Sequence, residues 1–338
     1  MLYFIVTLIV LVIIFKMYVS IKHPFWSRQP VFHIYNLYYW FHKGIIYKTF
    51  PKIDKKYYDM SISHYKYNNL SDKEKKNIIR FVVDNWYSEK MEINPYMNNL
   101  NYISIIKNKG IICGEILNMN SNAVMYVDYL CISKKYRKKN IAPKLIYNFF
   151  LQYYNDAKIF LFKWENKNMS ILPLCVYNVL HYKDIMVKNN NNTPTCLNIV
   201  KIDKGQLHLI NENEIKKMFN ITIFQNINKL LDDNYVSIYA SLKKNKLVGL
   251  YFFKKYNNNV YNCYASIKYD AKSLFIDGFK LILQSFKKCS ISIDDISHSG
   301  YLIETLSIFK PFFVETHSYY FYNYIKISEN SKDVFILN

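Results

Sequence analysis

Three hydrophobic patterns divide the chain. Residues 2–21 are apolar on every face and interrupted only by Lys16. Shorter apolar runs bounded by Asn-, Gly- and Lys-containing turns read as strands, and stretches with apolar residues every third and fourth position read as helices. Ser71-Asp72-Lys73-Glu74 is a capping box, after which Ile78, Ile79, Val82, Val83 and Trp86 recur at helical spacing. Strands are expected over Tyr102–Ile106, Ile111–Leu117 and Val124–Ile132, joined through turns at Asn108-Lys109-Gly110 and Asn118 to Asn122 as an antiparallel meander. The pattern then predicts a helix over Ile141–Tyr153, a strand over Lys158–Phe162, a short helix near Leu172–Leu180, a strand near Asp184–Val187 and a low-complexity loop over Asn189–Pro194.

The same order of elements returns in the second half. Helical stretches within Glu212–Leu231 precede strands over Tyr235–Leu242, Leu247–Phe253 and Val260–Ile267. A helix over Ala271–Lys287, a strand over Ser290–Ile293, a helix over Tyr301–Ile308 and a strand over His317–Ile327 come next. Residue identity between the halves is negligible, so the repeat is one of architecture. The expected fold class is α+β with a mixed sheet. Residues 22–59, aromatic and punctuated by Pro24, Pro30 and Pro51, read as an extended arm; residues 60–200 and 201–338 form two tandem halves of one compact unit.

Charge and composition narrow the function classes. The net charge of +20 on 338 residues would raise nucleic acid or an anionic membrane as partner. Yet Lys, Asn, Ile and Tyr are abundant while Gly, Ala and Arg are scarce, the bias expected of A/T-rich codons. Only local clusters therefore carry weight, and no nucleic-acid partner is expected. Cys113, Cys131, Cys175, Cys196, Cys263 and Cys289 lie far apart with no C-x-x-C pair, which argues against a metal site or a disulfide framework. About twenty apolar residues suffice to cross a bilayer as a helix. Residues 2–21, with Lys22, Arg28 and Lys43 behind them and no cleavage site, are expected to be an uncleaved single-pass transmembrane anchor with the rest of the chain facing the cytosol.

The candidate chemistry lies in Asp128 to Phe150. An apolar strand enters a loop holding Lys134, Lys135, Arg137, Lys138 and Lys139, and a helix with Pro143 in its first turn comes after it. Loop amides and the helix N-terminus aim unpaired donors at one spot, and a phosphate-bearing ligand fits there. The second half offers only Lys268, Asp270 and Lys272 at the corresponding place, so one cofactor site is expected, in the first half.

Helix, three antiparallel strands, phosphate loop and helix is the ground plan of GNAT-like acyl-CoA N-acyltransferases. Arg137-Lys138-Lys139-Asn140-Ile141-Ala142 resembles their Arg-x-x-Gly-x-Gly/Ala loop, with Asn140 at the first glycine. The doubled plan is similar to the N-myristoyltransferase family. Tyr129-Leu130-Cys131-Ile132 with Ala142-Pro143-x-Leu145-Ile146 resembles that family's central strand, loop and helix. Phe25-Trp26-x-x-Gln29-Pro30-Val31 looks like its acyl-CoA-binding arm, Tyr319 to Tyr324 its aromatic last strand, and the apolar end at Asn338 its C-terminus.

The resemblance implies roles by position. Backbone amides of Tyr129 and Leu130 form the oxyanion hole, with Cys131 and Ile132 continuing the cofactor strand. Arg137 to Pro143 (Arg137, Lys138, Lys139, Asn140, Ile141, Ala142, Pro143) hold the CoA phosphates, Phe25 and Trp26 cover the cofactor, and the carboxylate of Asn338 is the base. The co-substrate implied is myristoyl-CoA or another long-chain acyl-CoA with no metal, and the acceptor is the N-terminal glycine amine of a protein substrate, the enzyme acting as a monomer. Phe162-Lys163-Trp164-Glu165 and Tyr177-Asn178-Val179-Leu180 depart from the family's amine-recognition stretches. An N-acetyltransferase working through Glu115 or Asp128, and a tethered acyl-CoA binder without turnover, are the alternatives.

Overall fold

The computed structural model describes residues 2–85, 101–165, 171–187, 197–232, 235–257, 259–286, 288–306 and 309–338. Trp86, the loop Asn189–Pro194, Cys196, Lys287 and Ile308 lie outside them. The chain forms two compact units. One comprises Met1–Ile116, Asn122–Leu174 and Ser318–Ser328, the other Leu117–Ser121, Cys175–His317 and Glu329–Asn338.

The first unit contains α1 (Leu2–Lys22), α2 (Leu37–Phe41), β1 (Gly44–Ile45), β2 (Ser63–Lys66), α3 (Asp72–Asn85), β3 (Tyr102–Ile106), β4 (Gly110–Met119), β5 (Asn122–Ile132), α4 (Ile141–Tyr153) and β6 (Ile159–Glu165), with β4 ending in the second unit. The capping box forms as expected: Ser71 Oγ meets Glu74 at 2.6 Å, and the Ser71 amide donates to the same carboxylate. Helix α4 keeps the bounds its periodicity predicts and buries Leu145, Ile146, Phe149 and Phe150 against the sheet. Gly114 permits that approach, because a Cβ there would stand 2.9 Å from the Tyr126 carbonyl and from the Phe149 ring. The arm is tied down: Phe25 packs edge-on against Tyr57, Tyr322 donates its hydroxyl to buried Gln29, and Asp59 accepts from Lys144 at 2.9 Å.

The apolar N-terminal stretch does form one helix, α1, but the expected anchor is not upheld. Among the described residues no helix is long and apolar enough to cross a membrane. The uninterrupted run Leu2–Phe15 rises about 21 Å, short of the ~30 Å hydrocarbon core. Around Lys16 the helix packs on the arm, with Val19 buried and the Phe15 ring edge-on to Tyr35 at 6.3 Å. The expected transmembrane segment, membrane partner and cytosol-facing orientation fall with it.

The second unit contains β7 (Cys175–Ile185), β8 (Leu197–Lys201), α5 (Glu212–Met218), β9 (Ile221–Phe224), α6 (Ile227–Leu231), β10 (Val236–Lys243), β11 (Lys246–Asn257), β12 (Val260–Lys268), α7 (Lys272–Ser285), β13 (Cys289–Asp294) and α8 (Gly300–Thr305). Strand β14 (Phe313–Tyr322) begins there and ends in the first unit, which also holds β15 (Tyr324–Ile325), while β16 (Val334–Leu337) belongs to the second. The short helix expected near Leu172–Leu180 is instead strand β7. Its side chains alternate buried and exposed from Cys175 to Val179, a period of two that helical spacing cannot satisfy. Strand β9 was hidden inside a stretch expected to be helical. It is buried at every position and pairs in parallel with β16.

Each unit carries the same core device: a three-stranded antiparallel meander, a helix, and a strand parallel to the third strand. In the first unit β5 and β6 pair in parallel from Val124↔Ile159 to Val127↔Phe162. In the second, β12 and β13 pair from Val260↔Ser290 to Cys263↔Ile293. Both ladders close after four pairs while the strands run on.

Candidate active site

The two units differ in how they use the space beyond the end of each ladder. In the second unit the chain from Ile296 to Ser299 fills the place: Ser297 Oγ accepts the Ser266 amide, Ser299 and Ser266 hydroxyls meet at 3.0 Å, and the Lys268 amide donates to His298 Nδ1 at 2.9 Å. In the first unit the corresponding place is a cavity of about 320 Å³. Tyr129 and Leu130 of β5 line one wall, Lys163, Trp164 and Glu165 of β6 the other, and Trp26 of the arm adds an aromatic side. Leu130 also lines a second cavity of about 520 Å³, which opens at the N-terminus of α4 beside Arg137, Lys138, Asn140, Ile141 and Pro143.

The backbone around the second cavity is built for anions. Lys138 and Asn140 take left-handed conformations, with φ of 63° and 58°. Asn140 is the N-cap of α4 and stands where the loop resembled would have glycine. Asparagine tolerates this region better than other side chains, so the substitution preserves the turn. The first turn of α4 leaves amides without a partner in the helix, Pro143 costs no donor that the helix would have used, and such an N-terminus can hold an anion.

The charges divide into two roles that the sequence did not separate. Arg137 donates from Nη2 to the Asn85 carbonyl at 2.6 Å and from Nε to the Ile132 carbonyl at 3.3 Å. It ties the loop to the last turn of α3, where its charge also suits the helix dipole. The lysines are exposed and gather round one ring: Nζ of Lys109, Lys135 and Lys139 lie 5.7, 5.2 and 5.3 Å from the centre of Tyr136. Asn85 was not singled out by the sequence, Lys109 was read only as part of a turn and Tyr136 only as part of the loop, and the lone signal for all three is the cationic loop that they support.

Asp128 and Tyr129 hold the least ordinary geometry. Tyr129 has φ of 47°, a left-handed conformation in which a bulky residue is strained. Its amide donates to Asp128 Oδ1 at 2.7 Å. Beneath them Tyr126 is fully buried; burial, and then the nearby Asp128, Tyr319, Glu115 and Glu165, push its hydroxyl well above the usual tyrosine range. Burial also raises the Cys131 thiol to about 11, so this strand cysteine is no ready nucleophile.

Of the residues marked in the sequence, Trp26 and the Tyr129–Leu130 strand meet at the smaller cavity, and Leu130, Cys131, Ile132, Arg137, Lys138, Asn140, Ile141, Ala142 and Pro143 meet at the larger. Phe25 lies behind Trp26 in the core, its ring 4.9 Å away. Lys139 reaches the Tyr136 ring. Asn338 comes directly after β16 in the second unit and is half-buried, and Tyr177 to Leu180 lie on β7 of that unit.

No family model matches the sequence, and no curated protein matches it. Solved structures do. Saccharomyces cerevisiae N-myristoyltransferase with bound myristoyl-CoA superimposes with a TM-score of 0.68 at 12% identity, over 91% of this chain and 94% of that one. A second structure of that enzyme with myristoyl-CoA gives 0.69 at 13% identity, over 94% of each chain. A third, with inhibitors as well, gives 0.67 at 13% over 92% of each. Likeness at such low identity is likeness of fold, and the chain has the acyl-CoA N-acyltransferase fold of the N-myristoyltransferase type.

Proposed function

We propose that the protein transfers a long-chain acyl group, myristoyl or similar, from acyl-CoA to the N-terminal glycine amine of a protein substrate. The observation that carries this reading is the parted β5–β6 pair, whose cavity adjoins the cationic loop and the α4 N-terminus through Leu130. In the reading, loop amides and lysines take the CoA phosphates while Arg137 keeps the loop in shape. The thioester carbonyl then points at the amides of Tyr129 and Leu130, donors aimed where charge develops in the transition state. Trp26 and Trp164 close the acyl side against water. The plug at Ile296–Ser299 accounts for a single acyl-CoA site.

Calorimetric titration of the full chain with myristoyl-CoA and acetyl-CoA, followed by transfer to glycine-starting peptides, tests the proposal. Tighter binding of myristoyl-CoA and acylation of the peptide amine are expected. Preference for acetyl-CoA would make it an N-acetyltransferase, binding without transfer would make it an acyl-CoA carrier, and binding of neither overturns the reading.

A further inference from the structure

A cluster of three lysines beside the larger cavity has no counter-charge. Nζ of Lys109, Lys135 and Lys139 lie 5.7, 5.2 and 5.3 Å from the centre of the Tyr136 ring. Among the described residues no carboxylate pairs with any of the three. Lys135 and Lys139 are neighbours of Tyr136 in the chain, but Lys109 comes from the turn between β3 and β4. Backbone hydrogen bonds fix the group. The Ser133 amide donates to the Lys109 carbonyl at 2.9 Å, which ties that turn to the loop, and the Tyr136 amide donates to the Ser133 carbonyl at 2.8 Å, which closes the single helical turn carrying the ring. Gly110 lets the two segments approach, because a Cβ there would stand 2.6 Å from the Ile132 side chain. The Tyr136 ring is half-buried and lines the cavity that also opens on Asn140, Ile141 and Pro143 at the start of α4. A ring face attracts an exposed ammonium only weakly, whereas three ammonium groups round one ring repel one another. A dianion among them removes that repulsion.

We infer that Tyr136 with Lys109, Lys135 and Lys139 is the seat for the adenosine 3′-phosphate end of CoA, and makes the site selective for CoA over dephospho-CoA. The inference rests on the acyl-CoA reading proposed for this site. The cavity offers anions two separate places of different chemistry, backbone donors at the α4 N-terminus and the lysine group round the ring. CoA carries its anions in the same division: a diphosphate on one side of the ribose and a phosphomonoester on the other, with a flat base on the same sugar. A diphosphate suits an array of amides. The doubly charged monoester suits ammonium groups, compact charges on flexible stems that close round it without a fixed angle. The face of Tyr136 then gives the base an aromatic platform. Lys109 is the informative member, because it reaches the ring from outside the cationic loop and is held there by the bond from Ser133.

The test titrates the full chain, and its Lys109→Ala and Tyr136→Leu variants, with CoA and with dephospho-CoA by calorimetry. The wild type should bind CoA roughly thirtyfold tighter than dephospho-CoA, the worth of charge-assisted hydrogen bonds to one phosphate. Lys109→Ala should lose about fivefold in CoA affinity and keep its dephospho-CoA affinity, so that the ratio narrows. Tyr136→Leu should weaken both ligands about tenfold and keep the ratio, because a base stacks on the ring with or without the 3′-phosphate. A merely structural role for Lys109 would weaken both ligands together. Adenosine 3′,5′-bisphosphate should compete with CoA in the wild type where inorganic phosphate at the same concentration does not; equal competition by inorganic phosphate would overturn the inference, leaving the lysines a site for any phosphate. Equal wild-type affinity for CoA and dephospho-CoA overturns it as well, as does a ratio that Lys109→Ala leaves intact, and in both cases the acyltransferase reading stands. If the wild type binds neither CoA nor myristoyl-CoA, that reading fails and the inference with it.

Discussion

Replacing Arg137 by Ala tests the proposed division of roles, in which Arg137 holds the loop in shape and the exposed lysines around it take the CoA phosphates. The guanidinium donates to the backbone carbonyls of Asn85 at 2.6 Å and Ile132 at 3.3 Å. A hydrogen bond from a charged donor contributes ~1.5–3 kcal/mol, and the longer one falls at or below the low end. We expect Arg137→Ala to cost about 2–3 kcal/mol, which for a cooperative unit of this size lowers the melting temperature by roughly 5–10 °C. Lys139→Ala removes an exposed charge with no carbonyl to hold and should leave the melting temperature within about 1 °C. Its effect should appear in CoA affinity instead, and should shrink as salt rises, because exposed charges are screened. Thermal melting by circular dichroism and CoA titration at two ionic strengths read both quantities. Equal melting temperatures for the two variants, with CoA affinity lost only in Arg137→Ala, would refute the division of roles and place the guanidinium on the ligand.

Two further predictions concern pH. The Asp59 carboxyl, which joins the arm to α4, is held down at about 2, chiefly by the Ser61 hydroxyl and then by Lys144, against the opposing effect of burial. Its stabilisation, about 2 kcal/mol, is full above roughly pH 4 and lost as pH falls through about 2; Asp59→Asn should abolish that part of the acid dependence, and an unchanged acid titration of stability would contradict it. His298, in the plug of the second unit, is lowered to about 4 by burial and then by Lys268. The unfolded chain therefore takes the proton first, so about 3 kcal/mol present above pH 6.5 is lost as pH falls toward 4; urea unfolding of the second unit at pH 7.5 and 4.5 should show this slope, and His298→Gln should flatten it.

The range of the forces involved sets how much of the fold was legible in the sequence. Local patterns fixed their own elements: the capping box placed α3, apolar runs bounded by turn residues placed β3 to β5, and 3.6-residue periodicity placed α4 to the residue. The cationic loop between strand and helix was equally local, since strand, loop and helix termini are consecutive in the chain. Where two patterns overlapped, sequence reading failed: β7 and β9 are strands because neighbours across the sheet satisfy their backbones, and those neighbours lie far away in sequence. The apolar run at the N-terminus determined a helix, but its length before Lys16 and the packing of Val19 decided against a membrane span.

The sequence by itself determined the repeated order of meander, helix and strand, and the cationic loop between β5 and α4 with Asn140 in its turn. Tertiary structure alone decided that β5 and β6 part after Val127, that the matching gap in the second unit is closed by Ile296–Ser299, and that Arg137 donates to the Asn85 carbonyl at the end of α3. The physical reason is the same each time. Hydrophobic periodicity records which face of an element is buried, whereas strand separation, occupancy of a gap and choice of hydrogen-bond partner depend on groups brought together only by folding.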